Sequence, residues 1–193
     1  MRALIKTVGV TATTAVLLSL ALTPAHATDN EEIRAAVTGG GLTADVSGAT
    51  LSSVALNNLS SQLASGKADT VWTITDARGS GAAWGLTASG TNFVSAAGDV
   101  DTTPRSLPIG NLVITPGVVT SAGGADTAPI TSAVTMSNDP LVLVTAPGDR
   151  KGTFTLTPSF DLTVPANAFR SNFTTGVSGI VNPYVSTITF TIA

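Results

Sequence analysis

Few residues in this 193-residue chain could do covalent or metal chemistry. The only histidine is His26, and there is no cysteine. Ser-His-Asp and Cys-His catalysis each need one of those side chains, as do imidazole-held zinc and thiolate metal sites. Glu31 and Glu32 are adjacent near the N-terminus, a poor arrangement for general acid–base work. The aspartates are scattered, mostly in turns, where their side chains commonly accept backbone N–H groups. Lys67 and Lys151 also lie in turn-like stretches. The segment "GDVDTTP" offers Asp99 and Asp101 to calcium, which favours clustered loop carboxylates, but this spacing is too simple to be specific. Asn58 and Asn172 head Asn-x-Ser/Thr sequons, a pattern frequent by chance in so hydroxyl-rich a chain. The expectation is a non-enzyme without cofactor or metal.

The N-terminus explains the stray histidine. "MRALIKTVGVTATTAVLLSLALTPAHA" has a basic start (Arg2, Lys6), an apolar run and a small-x-small end at Ala25-His26-Ala27. That is the layout of a signal peptide over residues 1–27. The apolar run is short for a membrane span. Residues 28–193 then form one domain, long enough to bury a core, with "TDNEE" at its start loose. Without Arg2 and Lys6, seven basic residues face twelve acidic ones, a net charge near −5. Such a surface does not attract nucleic acid or anionic lipid. No later run is long enough to span a membrane. An exported chain without cysteine must draw its stability from a packed core, not from disulfides.

The elements that would form that core are strands. In "TFTLTPSFDLTV", Phe154, Leu156, Phe160, Leu162 and Val164 alternate with polar residues, the mark of a half-buried strand. Pro158 interrupts it and predicts an edge, a bulge or a break. "YVSTITFTI" repeats the alternation, with Tyr184, Ile188, Phe190 and Ile192 on one face. Further strands are predicted over 35–38, 42–46, 50–56, 106–114, 132–136 and 141–145. Turn signals such as "ASGK", "AGGADTAP" and "SNDP" separate them. Short helical turns are predicted at 165–169 or 30–36. The pattern is that of an all-β, single-domain, β-sandwich-like fold of mainly antiparallel strands with little helix.

Both tryptophans fall in "TVWTITDARGSGAAWGL". Trp72 alternates with Ile74, and Trp84 with Leu86. Two readings fit. Either the indoles are core residues on adjacent strands of a hairpin joined by "DARGSGAA", or they form an exposed aromatic platform for carbohydrate. In the first reading, Asp76 accepts turn N–H groups and Arg78 pairs with it or stacks on a ring.

"WTITDARGSGAAWGL" resembles the first motif of the bacterial WxL surface domain: a Trp-x-Ile-x-Asp strand, a Gly-x-Gly turn, then Trp84-Gly85-Leu86. "PYVSTITFTI" resembles the second motif, with Tyr184 at its head and Phe190-Thr191-Ile192 in the Trp-x-Leu place. The similarity covers about residues 50–193. It implies an all-β domain exported by Gram-positive bacteria and held non-covalently on the cell wall, with peptidoglycan or another wall polymer as partner, and other surface proteins as further partners. The residues it singles out for wall binding or for the fold are Trp72, Asp76, Trp84, Leu86, Tyr184, Phe190 and Ile192. The alternative is a structural subunit of an extracellular matrix, coat or filament that assembles through strand edges.

Overall fold

A computed structural model describes residues 33–193; the leader expected over 1–27 and the loose "TDNEE" start lie outside them. The chain divides at Ala36/Val37, and the unit Val37–Ala193 holds all sixteen described strands. Of the preceding unit, the described residues 33–36 carry no secondary structure. In chain order the strands begin with β1 (Leu42–Asp45), β2 (Gln62–Lys67), β3 (Trp72–Asp76), β4 (Trp84–Gly90), β5 (Phe93–Ser95) and β6 (Arg105–Leu107). A 3-10 turn at Ile109–Asn111 leads into β7 (Leu112–Thr115), β8 (Thr120–Ser121), β9 (Ile130–Thr131), β10 (Val134–Thr135) and β11 (Leu141–Ala146). The last five are β12 (Gly152–Leu156), β13 (Ser159–Val164), β14 (Asn172–Phe173), β15 (Val181–Asn182) and β16 (Ile188–Ile192).

Three four-stranded antiparallel sheets result, in the orders β1-β3-β12-β8, β10-β7-β13-β2 and β16-β4-β11-β9. The fold is all-β and sandwich-like. The alternating stretch around Pro158 links two of the sheets. β12 ends at Leu156 in the first sheet, and β13 resumes at Ser159 in the second. Proline has no N–H for a ladder, so the strand breaks there. The Pro158 carbonyl still accepts from the Ala68 N–H at 2.9 Å. Two residues separate the strands, so the period-two phase survives, and Phe154, Leu156, Phe160, Leu162 and Val164 are all buried.

Several sequence expectations change. Trp72 and Trp84 do not sit on a hairpin: β3 pairs with β1 and β12, whereas β4 pairs with β11 and β16. "DARGSGAA" therefore carries the chain from one sheet to another. "ASGK", read as a turn, supplies the last four of the six residues of β2, recruited by the long partner β13. No strand forms over 35–38 or 50–56; only an isolated bridge, Ala49 with Ala68, marks the latter region. The stretch 106–114 splits around Pro108 into β6, the 3-10 turn and β7, and 132–136 shrinks to the two residues of β10. At 165–169 a single turn closes, with Ala168 N–H donating to the Pro165 carbonyl. Residues 33–36 are not helical, and 30–32 lie outside the described residues.

Both indoles are core. Trp72 is fully buried and Trp84 nearly so. Each ring N–H, which burial would otherwise leave unpaired, finds a backbone carbonyl: Trp72 Nε1 donates to Ser47 at 2.9 Å, Trp84 Nε1 to Arg150 at 3.1 Å. Trp72 meets Phe190 edge-on at 4.8 Å and Phe160 at 6.2 Å, so one side chain touches all three sheets. Trp84 lies against Phe154 at 6.1 Å. The platform reading fails because neither indole presents an open face: Trp72 is fully buried and Trp84 is 4% exposed. Trp72→Ala and Trp84→Ala are each expected to cost roughly 3–5 kcal/mol, the range for truncating a large buried aromatic. Chemical denaturation followed by tryptophan emission checks this: the native spectrum should be blue-shifted, and both rings should red-shift in one transition.

Candidate functional site

The two motif stretches are neighbours in space. β4 and β16 pair directly, with Phe190 opposite Ala88 and Ile192 opposite Leu86. Trp84 and Leu86 face the core and are closed to any ligand. Phe190 and Ile192 are half-buried, because β16 ends its sheet and is covered on one side only. Of the seven residues singled out by sequence, Trp72, Trp84 and Leu86 therefore belong to one buried cluster, and Tyr184, Phe190 and Ile192 pack against it.

Asp76 has a different task. It is 2% exposed at the end of β3 and bound on both oxygens. Arg78 Nε donates to Oδ1 at 2.9 Å, Arg78 Nη2 to Oδ2 at 3.0 Å, and the Arg78 backbone N–H to Oδ1 at 3.1 Å. Arg78 Nη2 also reaches the Ala82 carbonyl at 2.9 Å, across the turn. Asp76 thus fastens the inter-sheet connection from β3 to β4. These charge-assisted bonds hold its carboxyl below the usual range, although burial pulls the other way.

Tyr184 packs against the same core and also faces outward. It lies before β16 on the wall of an open groove of about 740 Å³. The floor is apolar, with Leu51, Val54, Phe93 and Val164, while Ser52, Ser171 and Ser186 supply hydroxyls. Tyr184 Oη donates to the Phe169 carbonyl at 3.0 Å, pinning the loop after β13 to the rim, and burial raises its pKa. Phe169 is 61% exposed, with the Arg105 guanidinium 3.9 Å from its ring centroid. Arg170 lies over Phe173 at 4.9 Å, a second cation–π contact. Among the described residues, Arg170 is the one charged side chain lining the groove, and no carboxylate lines it. Sequence reading missed Phe169, Arg170 and Phe173, since they sit in a loop and a two-residue strand where periodicity carries no signal.

The other candidates resolve into structural roles. Asp101 is gripped by Arg105, whose Nη2 lies 3.0 Å from Oδ1 and 3.1 Å from Oδ2, so both oxygens are occupied. Among the described residues, no three His, Cys, Asp or Glu side chains converge on a metal position. Lys151 pairs with Asp126 at 2.8 Å. Asn172 is fully buried, so its sequon is closed in the folded chain. Its Nδ2 donates to the Ala96 and Thr103 carbonyls, holding the loop before β6 against β14. Among the described residues, no helix is long and apolar enough to cross a membrane.

The Asp76 pair makes stability pH-dependent in a definite direction. A carboxyl whose folded pKa is depressed stabilises fully above its unfolded value, about 3.9, and loses that contribution as pH falls through the folded value. Asp76→Asn is expected to be less stable than the native chain at neutral pH, with the gap closing as pH drops below about 4. Urea midpoints measured along a pH series check this, and a gap independent of pH would contradict the assignment.

Comparison with family models, curated proteins and solved structures finds no match to this chain.

Proposed function

We propose that this chain is an exported, non-catalytic surface protein, held non-covalently on the bacterial cell wall through a WxL-like domain. The wall contact is made by the groove over Tyr184 and Phe169, not by the motif tryptophans. The observation that carries this reading is the exposed Phe169 ring at the rim of a 740 Å³ groove. A sugar ring can stack on the face of this ring that Arg105 leaves open, and the serine hydroxyls of the lining can bond to its hydroxyl or amide groups. Arg170 adds one cation for an anionic group on peptidoglycan or another wall polymer. The arrangement suits binding: among the described residues, the lining offers no nucleophile–base pair and no carboxylate for proton transfer. The resemblance of "WTITDARGSGAAWGL" and "PYVSTITFTI" to the wall-held family supports the same reading, as does the leader-like N-terminus.

Co-sedimentation with purified sacculi is the test. Phe169→Ala and Arg170→Ala each remove one exposed cation–π contact and should lower stability by no more than about 1 kcal/mol, leaving the fold intact. Each is expected to lower the bound fraction, with Arg170→Ala also reducing the salt dependence. Native protein left in the supernatant at every salt concentration would exclude wall binding. Binding undiminished in both variants would move the contact away from this groove.

A further inference from the structure

We infer that the open edge of β16 accepts residues 33–37 of a second copy of this chain as an added strand, joining protomers head to tail. The inference stands independently of wall attachment, and it begins with the edge. Among the described strands, β16 pairs with β4 alone. Ala193 and Gly85 exchange both backbone bonds, Ala193 N–H to the Gly85 carbonyl at 3.1 Å and the reverse at 2.8 Å. Hydrogen-bonded and non-hydrogen-bonded pairs alternate along an antiparallel ladder. Thr191, Thr189 and Thr187 therefore point their backbone groups at β4, consistent with the bond from Thr91 N–H to the Thr187 carbonyl. The N–H and C=O groups of Ile188, Phe190 and Ile192 point the other way, and no backbone bond to a described residue reaches them.

Beside that edge the sandwich is only partly closed, by β1. A gap of about 290 Å³ lies between β16 and the chain just after β1. Val46, Leu51, Phe93, Phe160, Ile188 and Phe190 line it, and among the described residues no charged side chain does. A strand added to β16 would project every second side chain into this gap. The occupant must therefore alternate apolar residues with residues that tolerate solvent.

The segment "IRAAV" has that pattern, with Ile33, Ala35 and Val37 on one face and Arg34 and Ala36 on the other. It forms no strand, and Ile33 and Val37 are each 96% exposed, the highest values among the large apolar side chains described. The protomer cannot seat Val37 in its own gap. Gly40 N–H is bound to the Ala77 carbonyl at 2.7 Å, and a Cβ on Gly39 would collide with the Arg78 carbonyl oxygen, so the chain is fixed there. From Gly40, β1 runs about 20 Å to Val46, where the gap begins, whereas Val37 lies within about 7 Å of Gly39. Donor segment and acceptor edge thus differ, which makes the contact heterologous and the assembly an open chain or a closed ring.

Protein expressed in an exporting host with its own N-terminal segment is the material for the test. Light scattering is expected to show mass rising with concentration. The doubly substituted Ile33→Asp/Val37→Asp chain should stay monomeric, and because both side chains are 96% exposed the changes should leave the fold intact. That monomer retains the acceptor edge, so it should bind a labelled peptide of residues 30–39. The same peptide carrying both aspartates should bind at least about tenfold more weakly. Hydrogen exchange locates the contact: on peptide binding, the amides of Ile188, Phe190 and Ile192 should slow, and those of Thr189 and Thr191 should not. A native chain that stays monomeric at all concentrations overturns the inference, as does equal assembly of the doubly substituted chain. Slowed exchange at the Phe169–Tyr184 groove instead of β16 would also overturn it, by placing the peptide in the other groove.

Discussion

The contact of Trp72 with Phe190 and Phe160 is the constraint on which the remaining structure depends. One indole from the first sheet meets one phenyl from each of the other two. The chain has no disulfide to hold three sheets together, so buried apolar area must do it. Burial of so large a ring demands a partner for its N–H, and the Ser47 carbonyl supplies it. That bond fixes the start of the 47–56 segment, which in turn forms one wall of both grooves. The surface available for binding is thus a consequence of how the core satisfies one polar atom.

A division of labour follows. Residues of the Trp-x-Leu stretch are committed to packing, and Asp76 to clamping an inter-sheet turn. Groups free to meet a ligand lie on the loop after β13 and at the rim near Tyr184. The fold also leaves two features of different character: a groove with an aromatic, singly cationic rim, and an uncapped strand edge over an apolar gap. The first suits a soluble or polymeric ligand, the second an extended peptide. Edges of the second kind are usually blunted by charge or proline; β16 carries neither.

Much of this fold was legible in the residues. The alternation in "TFTLTPSFDLTV" is dictated by the two-residue strand period, and its buried positions follow from that period alone, including the break at Pro158. The same holds for "YVSTITFTI", whose inward residues are those read from sequence, although their half-burial reflects an edge position that local pattern cannot reveal. "ASGK" shows the opposite case: small, turn-like residues were drawn into β2 because β13 offers a six-residue partner. Pairing overrides propensity where the partner is long.

The sequence by itself determined the class of the protein. Its lack of cysteine, its single histidine in a leader-like segment and its period-two patterning limit the chemistry and call for a β core. It also determined which face of each long strand is buried, because side-chain direction is a local property of extended backbone. Only the tertiary structure decided that β3 and β4 belong to different sheets, that the motif tryptophans are closed to ligand, and that Phe169, Arg170 and Tyr184 share one groove. Those are relations between residues distant in the chain. They are set by strand pairing and by three-way packing around Trp72, and no local pattern encodes them.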